Sequence, residues 1–157
     1  MSPSGSTKIL PHVPFKECPI QASLGILGRK WTFLVIRDMG MLGVTRFNEF
    51  VRNNPGLTPR ALSLLLRDLQ REGLIHRSEE QGSTKKRVTY SLTKKGKDVL
   101  PVLTALIGFG MNHYADVVFE DGKARNLTQV FPGSQAELLG PLLPYVKGKR
   151  SGVPSFG

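Results

Sequence analysis

Residues 58–74, Thr58-Pro59-Arg60-Ala61-Leu62-Ser63-Leu64-Leu65-Leu66-Arg67-Asp68-Leu69-Gln70-Arg71-Glu72-Gly73-Leu74, decide the fold. Thr58 offers an N-cap hydroxyl, Pro59 has the fixed φ that suits a first helical turn, and Gly73 supplies a stop. Between these signals Leu62, Leu65, Leu66 and Leu69 recur at i, i+3, i+4 and i+7, so they share one face and predict burial. Arg60, Ser63, Leu64, Arg67 and Arg71 are left on the outer side. Just upstream, residues 46–53 (RFNEFVRN) place Phe47, Phe50 and Val51 on a short apolar face, closed by the turn signal Asn53-Asn54-Pro55-Gly56. A short helix, a tight turn containing glycine and a longer amphipathic helix form the pattern of a helix-turn-helix.

Outward from this pair the period changes. After Gly73 the chain alternates with period 2: Leu74 to Glu79 reads as a strand, residues 81–84 as a turn and residues 87–92 as the returning strand, a β-hairpin directly after the helix-turn-helix. Thr93 is placed to cap a further long helix through Val99, Leu103, Leu106, Ile107 and Phe109 as far as Val117, bent by Pro101 and two glycines. Upstream, Trp31, Leu34, Val35 and Met39 predict a second helix between Arg29 and Gly40. Ile20, Leu24 and Leu27 predict a first helix over 19–27, with Pro19 at its start and Gly28 at its end, and both helices read as core-facing. The expected organisation is a flexible arm over 1–16, a folded domain over 17–118, and a Pro/Gly-rich tail over 119–157 with a short helix candidate at 134–139. The fold class is mainly α with a small β-hairpin (α+β). Three helices, a recognition-type helix and a hairpin in that order make a winged helix, whose fourth helix enters the DNA major groove while the hairpin lies along the flanking backbone.

Composition agrees with a polyanionic partner. The 157 residues suit one domain with appendages, and 22 Lys plus Arg against 12 Asp plus Glu give a net charge of +10. Between Arg46 and Lys97, twelve basic residues stand against five acidic ones, so most of the surplus falls on the proposed reading head. The N-terminus lacks the apolar run of a secretion signal, and the most apolar stretch, 99–111, is far shorter than the roughly 20 residues a membrane span requires. A cytoplasmic, nucleoid-associated protein with no membrane partner is expected. The single cysteine excludes an intrachain disulfide.

The candidate DNA-binding residues follow from these placements. Arg60, Ser63 and Arg67 on the fourth helix suit contacts to base edges and phosphates, with Thr58 and Arg46 at the helix starts beside them. Lys85, Lys86 and Arg87 at the expected hairpin tip suit phosphate. Leu64 points outward by the helical count; reading of a thymine methyl, contact with another protein segment and a lone exposed leucine all remain open. Cys18 precedes Pro19 at a helix N-terminus with Lys16 near it, a setting that raises the thiolate fraction of a redox or electrophile sensor; a buried inert cysteine is the alternative. His12, His76 and His113 are isolated, no cluster has metal-ligand spacing, and no nucleophile or phosphate-loop motif occurs, so neither a cofactor nor a metal nor an enzymatic activity is expected.

Several blocks resemble one family. Cys18-Pro19-Ile20, Gly28-Arg29-Lys30-Trp31-Thr32, Ile36-Arg37-Asp38, Arg46-Phe47, Leu57-Thr58-Pro59-Arg60, Leu62-Ser63, Leu66-Arg67-Asp68-Leu69, Glu72-Gly73-Leu74-Ile75 and Tyr90-Ser91-Leu92-Thr93-Lys94-Lys95-Gly96 are similar to the HxlR family of winged-helix transcriptional regulators, over about residues 17–112. The resemblance implies a homodimer joined through its first and last helices that binds palindromic operator DNA. It also implies, for some members, an N-terminal cysteine whose oxidation changes DNA binding. The chain departs from the family pattern at Leu64 and Leu65, where polar or basic residues are usual, and in lacking a proline at the hairpin tip. A sequence-specific regulator, redox or electrophile responsive and open to a small-molecule effector, is therefore expected; a winged-helix architectural or protein-interaction module binding DNA without sequence specificity is the alternative.

Overall fold

The computed structural model describes residues 8–133. In chain order they form α1 (Pro19–Leu27), α2 (Thr32–Gly40), α3 (Phe47–Asn53), α4 (Pro59–Arg71), β1 (Ile75–Gln81), β2 (Lys86–Leu92), α5 (Lys94–Lys97), α6 (Leu100–His113), α7 (Ala115–Val118) and α8 (Leu127–Val130). The architecture is the expected α+β winged helix.

The α4 helix begins and ends where its residues require. Thr58 Oγ1 accepts the Ala61 N–H at 3.1 Å, and Gly73 takes φ +74°, a left-handed conformation that would strain any residue with a Cβ. Leu62, Leu65, Leu66 and Leu69 are buried against Val35 and Ile36 of α2, Phe50 of α3, Leu57, Leu74, Ile75, Tyr90, Val99 and Leu103. Each such leucine contributes about 2 kcal/mol through area removed from water.

A polar network fixes the first half of the helix-turn-helix. Asp38 on α2 is fully buried. Its Oδ1 accepts from Arg37 Nε at 3.0 Å and Nη2 at 2.7 Å, and its Oδ2 accepts from Asn54 Nδ2 at 2.7 Å. Asn54 also donates to Phe50 O at 2.8 Å, so α2, α3 and the turn before α4 share one set of bonds. The Leu57 N–H then closes on Asn54 O at 3.0 Å.

The hairpin is antiparallel, running from Ile75 opposite Leu92 to Gln81 opposite Lys86. It is tied back by the Tyr90 N–H, which donates to Thr45 O at 2.8 Å, and by Tyr90 meeting Phe50 edge to face at 6.3 Å. Its turn is 82–85, one residue later than the expected 81–84. Of the three cations expected at the tip, only Lys85 is in the turn; Lys86 and Arg87 are paired strand residues. Opposite charges extend the ladder here, with Glu80 facing Arg87 and Lys86 Nζ 3.8 Å from Glu79.

Two expectations fail for physical reasons. The single long helix after Thr93 is three helices: Thr93 caps only α5, accepting the Gly96 N–H at 3.1 Å. Pro101 sits in the first turn of α6, so it starts a new helix and does not bend an old one. The α1 helix occupies 19–27 as expected but faces the core only at its end, where Ile26 and Leu27 pack against the core while half-buried. None of its residues is buried, and Ile20 and Leu24 are 68% and 52% exposed. Periodicity shows that an apolar face exists and says nothing about what covers it. Within the stretch read as irregular tail, α8 forms behind a capping box of Asn126 and Gln129, and Leu127 packs toward Gly108 of α6. The helix expected at 134–139 lies outside the described residues.

Candidate nucleic-acid interface

The outer face of α4 presents Arg60, Ser63, Leu64 and Arg67, all exposed, with Leu64 at 48%. The helical count thus places Leu64 correctly, away from the core. The Thr58 hydroxyl oxygen is committed to the cap, which leaves its proton free to donate outward. Arg46 is the N-cap residue of α3 and is exposed; its backbone N–H donates to Glu49 Oε2 at 3.2 Å.

The distribution of paired and unpaired arginines is uneven. Ten arginines fall among the described residues. Arg29, Arg37, Arg71, Arg77 and Arg125 each hold a carboxylate: Asp68, Asp38, Asp68, Glu79 and Asp121 respectively. Arg46, Arg52, Arg60, Arg67 and Arg87 form no hydrogen bond or ion pair through their guanidinium groups among the described residues. All five lie on α4, on β2, or on α3 and its N-cap. A guanidinium without an internal acceptor is available for an external anion, in the bidentate geometry that suits phosphate or guanine.

Asp68 explains why Arg71, expected outward with Arg60 and Arg67, differs from them. Its carboxylate is bonded by Arg29 and lies 3.3 Å from Arg71. The Arg29 hydrogen bond, helped by the charges of Arg71 and Arg67, holds the Asp68 carboxyl below the usual carboxylate range. Arg29 belongs to the link between α1 and α2, so this carboxylate also joins that link to the recognition-type helix. Behind it, Lys95 Nζ donates to Glu72 O at 2.7 Å and Thr93 Oγ1 to Gly73 O, fastening the end of α4 to α5.

A cleft of about 350 Å³ lies between α3 and β2, lined by Arg46, Asn48, Arg52, Lys86 and Arg87. Asn48 and Arg52 were not among the sequence candidates. They stand at i and i+4 on α3, a readable spacing, but which face of α3 meets the hairpin depends on long-range pairing. Cys18 is exposed at the N-cap position of α1 and makes no capping bond through its side chain. It lies apart from the α4 and hairpin residues in sequence and on a different element.

The family model described as HxlR-like helix-turn-helix matches residues 26–117, more than half of the chain and all of the elements from α2 to β2. The chain belongs to the HxlR family. Among its relatives, the uncharacterized HTH-type transcriptional regulator YdeP of Bacillus subtilis (strain 168) is 38% identical over 96 residues, 61% of this chain and 73% of YdeP. An uncharacterized HTH-type transcriptional regulator of Methanothermobacter thermautotrophicus is 40% identical over 93 residues, 59% of this chain and 70% of its own length. The fold is similar to that of the redox regulator HypR in its reduced form, with TM-score 0.56, 32% identity, and 66% of this chain and 99% of that chain covered. This HxlR-family protein is a helix-turn-helix transcriptional regulator, and no described helix is long and apolar enough to cross a membrane.

Proposed function

We propose that the protein acts as a homodimer on palindromic operators in the cytoplasm, reading sequence with α4 and holding the backbone with the hairpin. The observation that carries this reading is the clustering of the unpaired arginines on α3, α4 and β2. Arg60, Ser63, Leu64 and Arg67 face the major groove, and Thr58, Arg46, Lys85, Lys86 and Arg87 hold phosphates. The dimer has its support in what α1 and α6 leave uncovered. A nine-residue helix with no buried residue is marginal in water, and Ile20 and Leu24, with Val102, Leu106 and Phe109 of α6, form exposed apolar rows. A twofold dimer sets its two α4 helices about 34–36 Å apart, one turn of DNA, which is why its operator is palindromic.

Oxidation at Cys18 modulates that spacing in this reading, supported by the likeness to HypR, a redox regulator by name. As the chain's one cysteine, Cys18 can form a disulfide only with a second molecule. Two thiols, from two protomers or from one protomer and a small thiol, surrender two electrons and two protons to a peroxide-class oxidant. The resulting bond at the start of α1 bears on the helix that the dimer would cover. A small effector would enter the cleft of about 410 Å³ between α1 and α6, beside Glu72 and Leu74 at the end of α4.

Binding to labelled fragments of the upstream region, with excess random DNA and a salt series, tests the reading. Specific binding that survives competitor is expected, with a change on oxidation that thiol reverses and that Cys18→Ser abolishes. Binding that competitor removes entirely would favour an architectural role, and a Cys18→Ser protein with the wild-type oxidant response would remove the sensor. Leu106→Glu, which puts a charge on the exposed row of α6, is expected to shift sedimentation from dimer to monomer. Operator affinity should fall roughly 100-fold as the two half-sites cease to be linked. An unaltered dimer would exclude α6 from the interface.

A further inference from the structure

We infer that the cleft between α3 and β2 is a phosphate site in which α3 and the hairpin grip one DNA backbone phosphate together, with Arg52 its central ligand; this rests on the DNA-binding reading. Four basic side chains, Arg46, Arg52, Lys86 and Arg87, line the cleft, and Asn48 adds an amide donor. Glu49 is the one acid among the lining residues, and its Oε2 is turned onto the backbone N–H groups of Thr45 and Arg46 at 3.4 and 3.2 Å. Its charge is thereby directed at the start of its own helix. Among the described residues Arg46, Arg52 and Arg87 form no ion pair, although Glu80 stands opposite Arg87 in the ladder, and Lys86 lies 3.8 Å from Glu79.

Three guanidiniums and an ammonium converging on one open cleft repel one another, and an anion between them removes the repulsion. The occupant's chemistry follows from the donors. All are N–H groups, three are planar forks that match a phosphate's oxygens, and only Phe47 and Val88 among the lining residues are apolar. The placement follows from the fold. The cleft joins the helix before α4 to the returning strand of the hairpin, so a phosphate seated there fixes the hairpin relative to the helix-turn-helix. Contacts of this kind set register on the duplex and carry no sequence information.

A phosphate group can come from the DNA backbone or from a free anion, and the test separates the two. Wild type, Arg52→Ala and Arg52→Lys are titrated with operator and with random duplex over a salt series, and with operators carrying a single neutral methylphosphonate at successive linkages. Each protein is also titrated with inorganic phosphate alone, and its melting midpoint is measured. Arg52→Ala is expected to melt as wild type, to lower the slope of log affinity against log salt by about 1 on both duplexes, and to leave the ratio of operator to random affinity unchanged. One linkage should lose its methylphosphonate penalty in Arg52→Ala and regain it in Arg52→Lys. An unchanged slope and penalty profile would overturn the assignment. Saturable, Arg52-dependent binding of inorganic phosphate with no effect on the DNA slope would also overturn it and make the cleft a free-anion site. Because the contact is independent of sequence, a failure of operator discrimination in the wild type would leave the slope on random duplex as the deciding readout.

Discussion

A protein in which Arg60 and Arg67 are both replaced by alanine is expected to bind the proposed operator hardly better than random DNA. The two side chains stand seven residues apart on the outer face of α4, two turns on one stripe, and so reach neighbouring positions in a groove. Neither is held by an internal hydrogen bond or ion pair among the described residues. A bidentate arginine contact to guanine discriminates by about 1–3 kcal/mol, so losing two costs about 4 kcal/mol, or roughly 1,000-fold. That is about the lower end of the typical margin between specific and nonspecific binding. Competition binding with operator and random duplexes reads the effect directly. The melting midpoint should stay near wild type, because the substitutions remove no internal bond. Arg71→Ala is the matched comparison: Arg71 is engaged by Asp68, so its loss should change discrimination little. Full discrimination by the double variant would end the assignment of α4 as the reading helix.

Local signals and long-range ones were unequally legible in the sequence. The bounds of α1 and the caps of α4 are set by single residues acting on their neighbours, Pro19 beside Cys18 and the Thr58 hydroxyl on the Ala61 N–H, and these read correctly. The leucine face of α4 read correctly because four residues at helical spacing admit one arrangement. The face of α1 read correctly only at Leu27, which packs against the core: Ile20 and Leu24 have the same spacing but are exposed, and only the arrangement of the other helices reveals it. Pro101 carries the same lesson, since a proline can bend a helix or begin one, and the fold of residues 94–99 decides which. In the hairpin, polar residues continue past both expected strand ends, and the pairing of Gln81 with Lys86 places the turn one residue later. For the site, the cationic character of α4 and the hairpin was visible in composition. Which arginines are consumed internally was not, because Asp68 meets Arg29 across thirty-nine residues of chain. Asn48 and Arg52 became candidates only when α3 met β2.

Asp38→Ala is expected to be the most destabilising polar substitution in the helix-turn-helix. Asp38 is fully buried and receives two bonds from Arg37 and one from Asn54. Removing the carboxylate leaves an Asn54 N–H without its acceptor and a cation without its counter-charge beside the core. Breaking one side of a buried pair costs about 3–5 kcal/mol, and the lower figure applies because the Arg37 side chain is 33% exposed and can turn to water. A loss of about 3 kcal/mol lowers the melting midpoint by on the order of 10 °C in a domain of this size. Asp38→Asn keeps the shape and loses the charge, so it should fall between the two proteins. The consequence for DNA is larger than stability alone predicts. Asn54 sits in the turn where Leu57 N–H bonds to Asn54 O, and Gly56 at φ +95° leads into α4. Asn54 then keeps its bonds to Phe50 O and Arg37 but loses its tie to α2 through Asp38, which loosens the angle between α3 and α4 even while the core leucines stay packed. Below its own melting transition Asp38→Ala should bind operator weakly, with discrimination reduced less than affinity, because the α4 side chains are intact but no longer held in one orientation. Urea and thermal melts, with operator titrations at a temperature where the variant is folded, measure both effects. A wild-type midpoint would mean that the bonds to Asp38 contribute nothing net to stability, and wild-type affinity would mean that α3 and α4 are aligned by their apolar contacts alone.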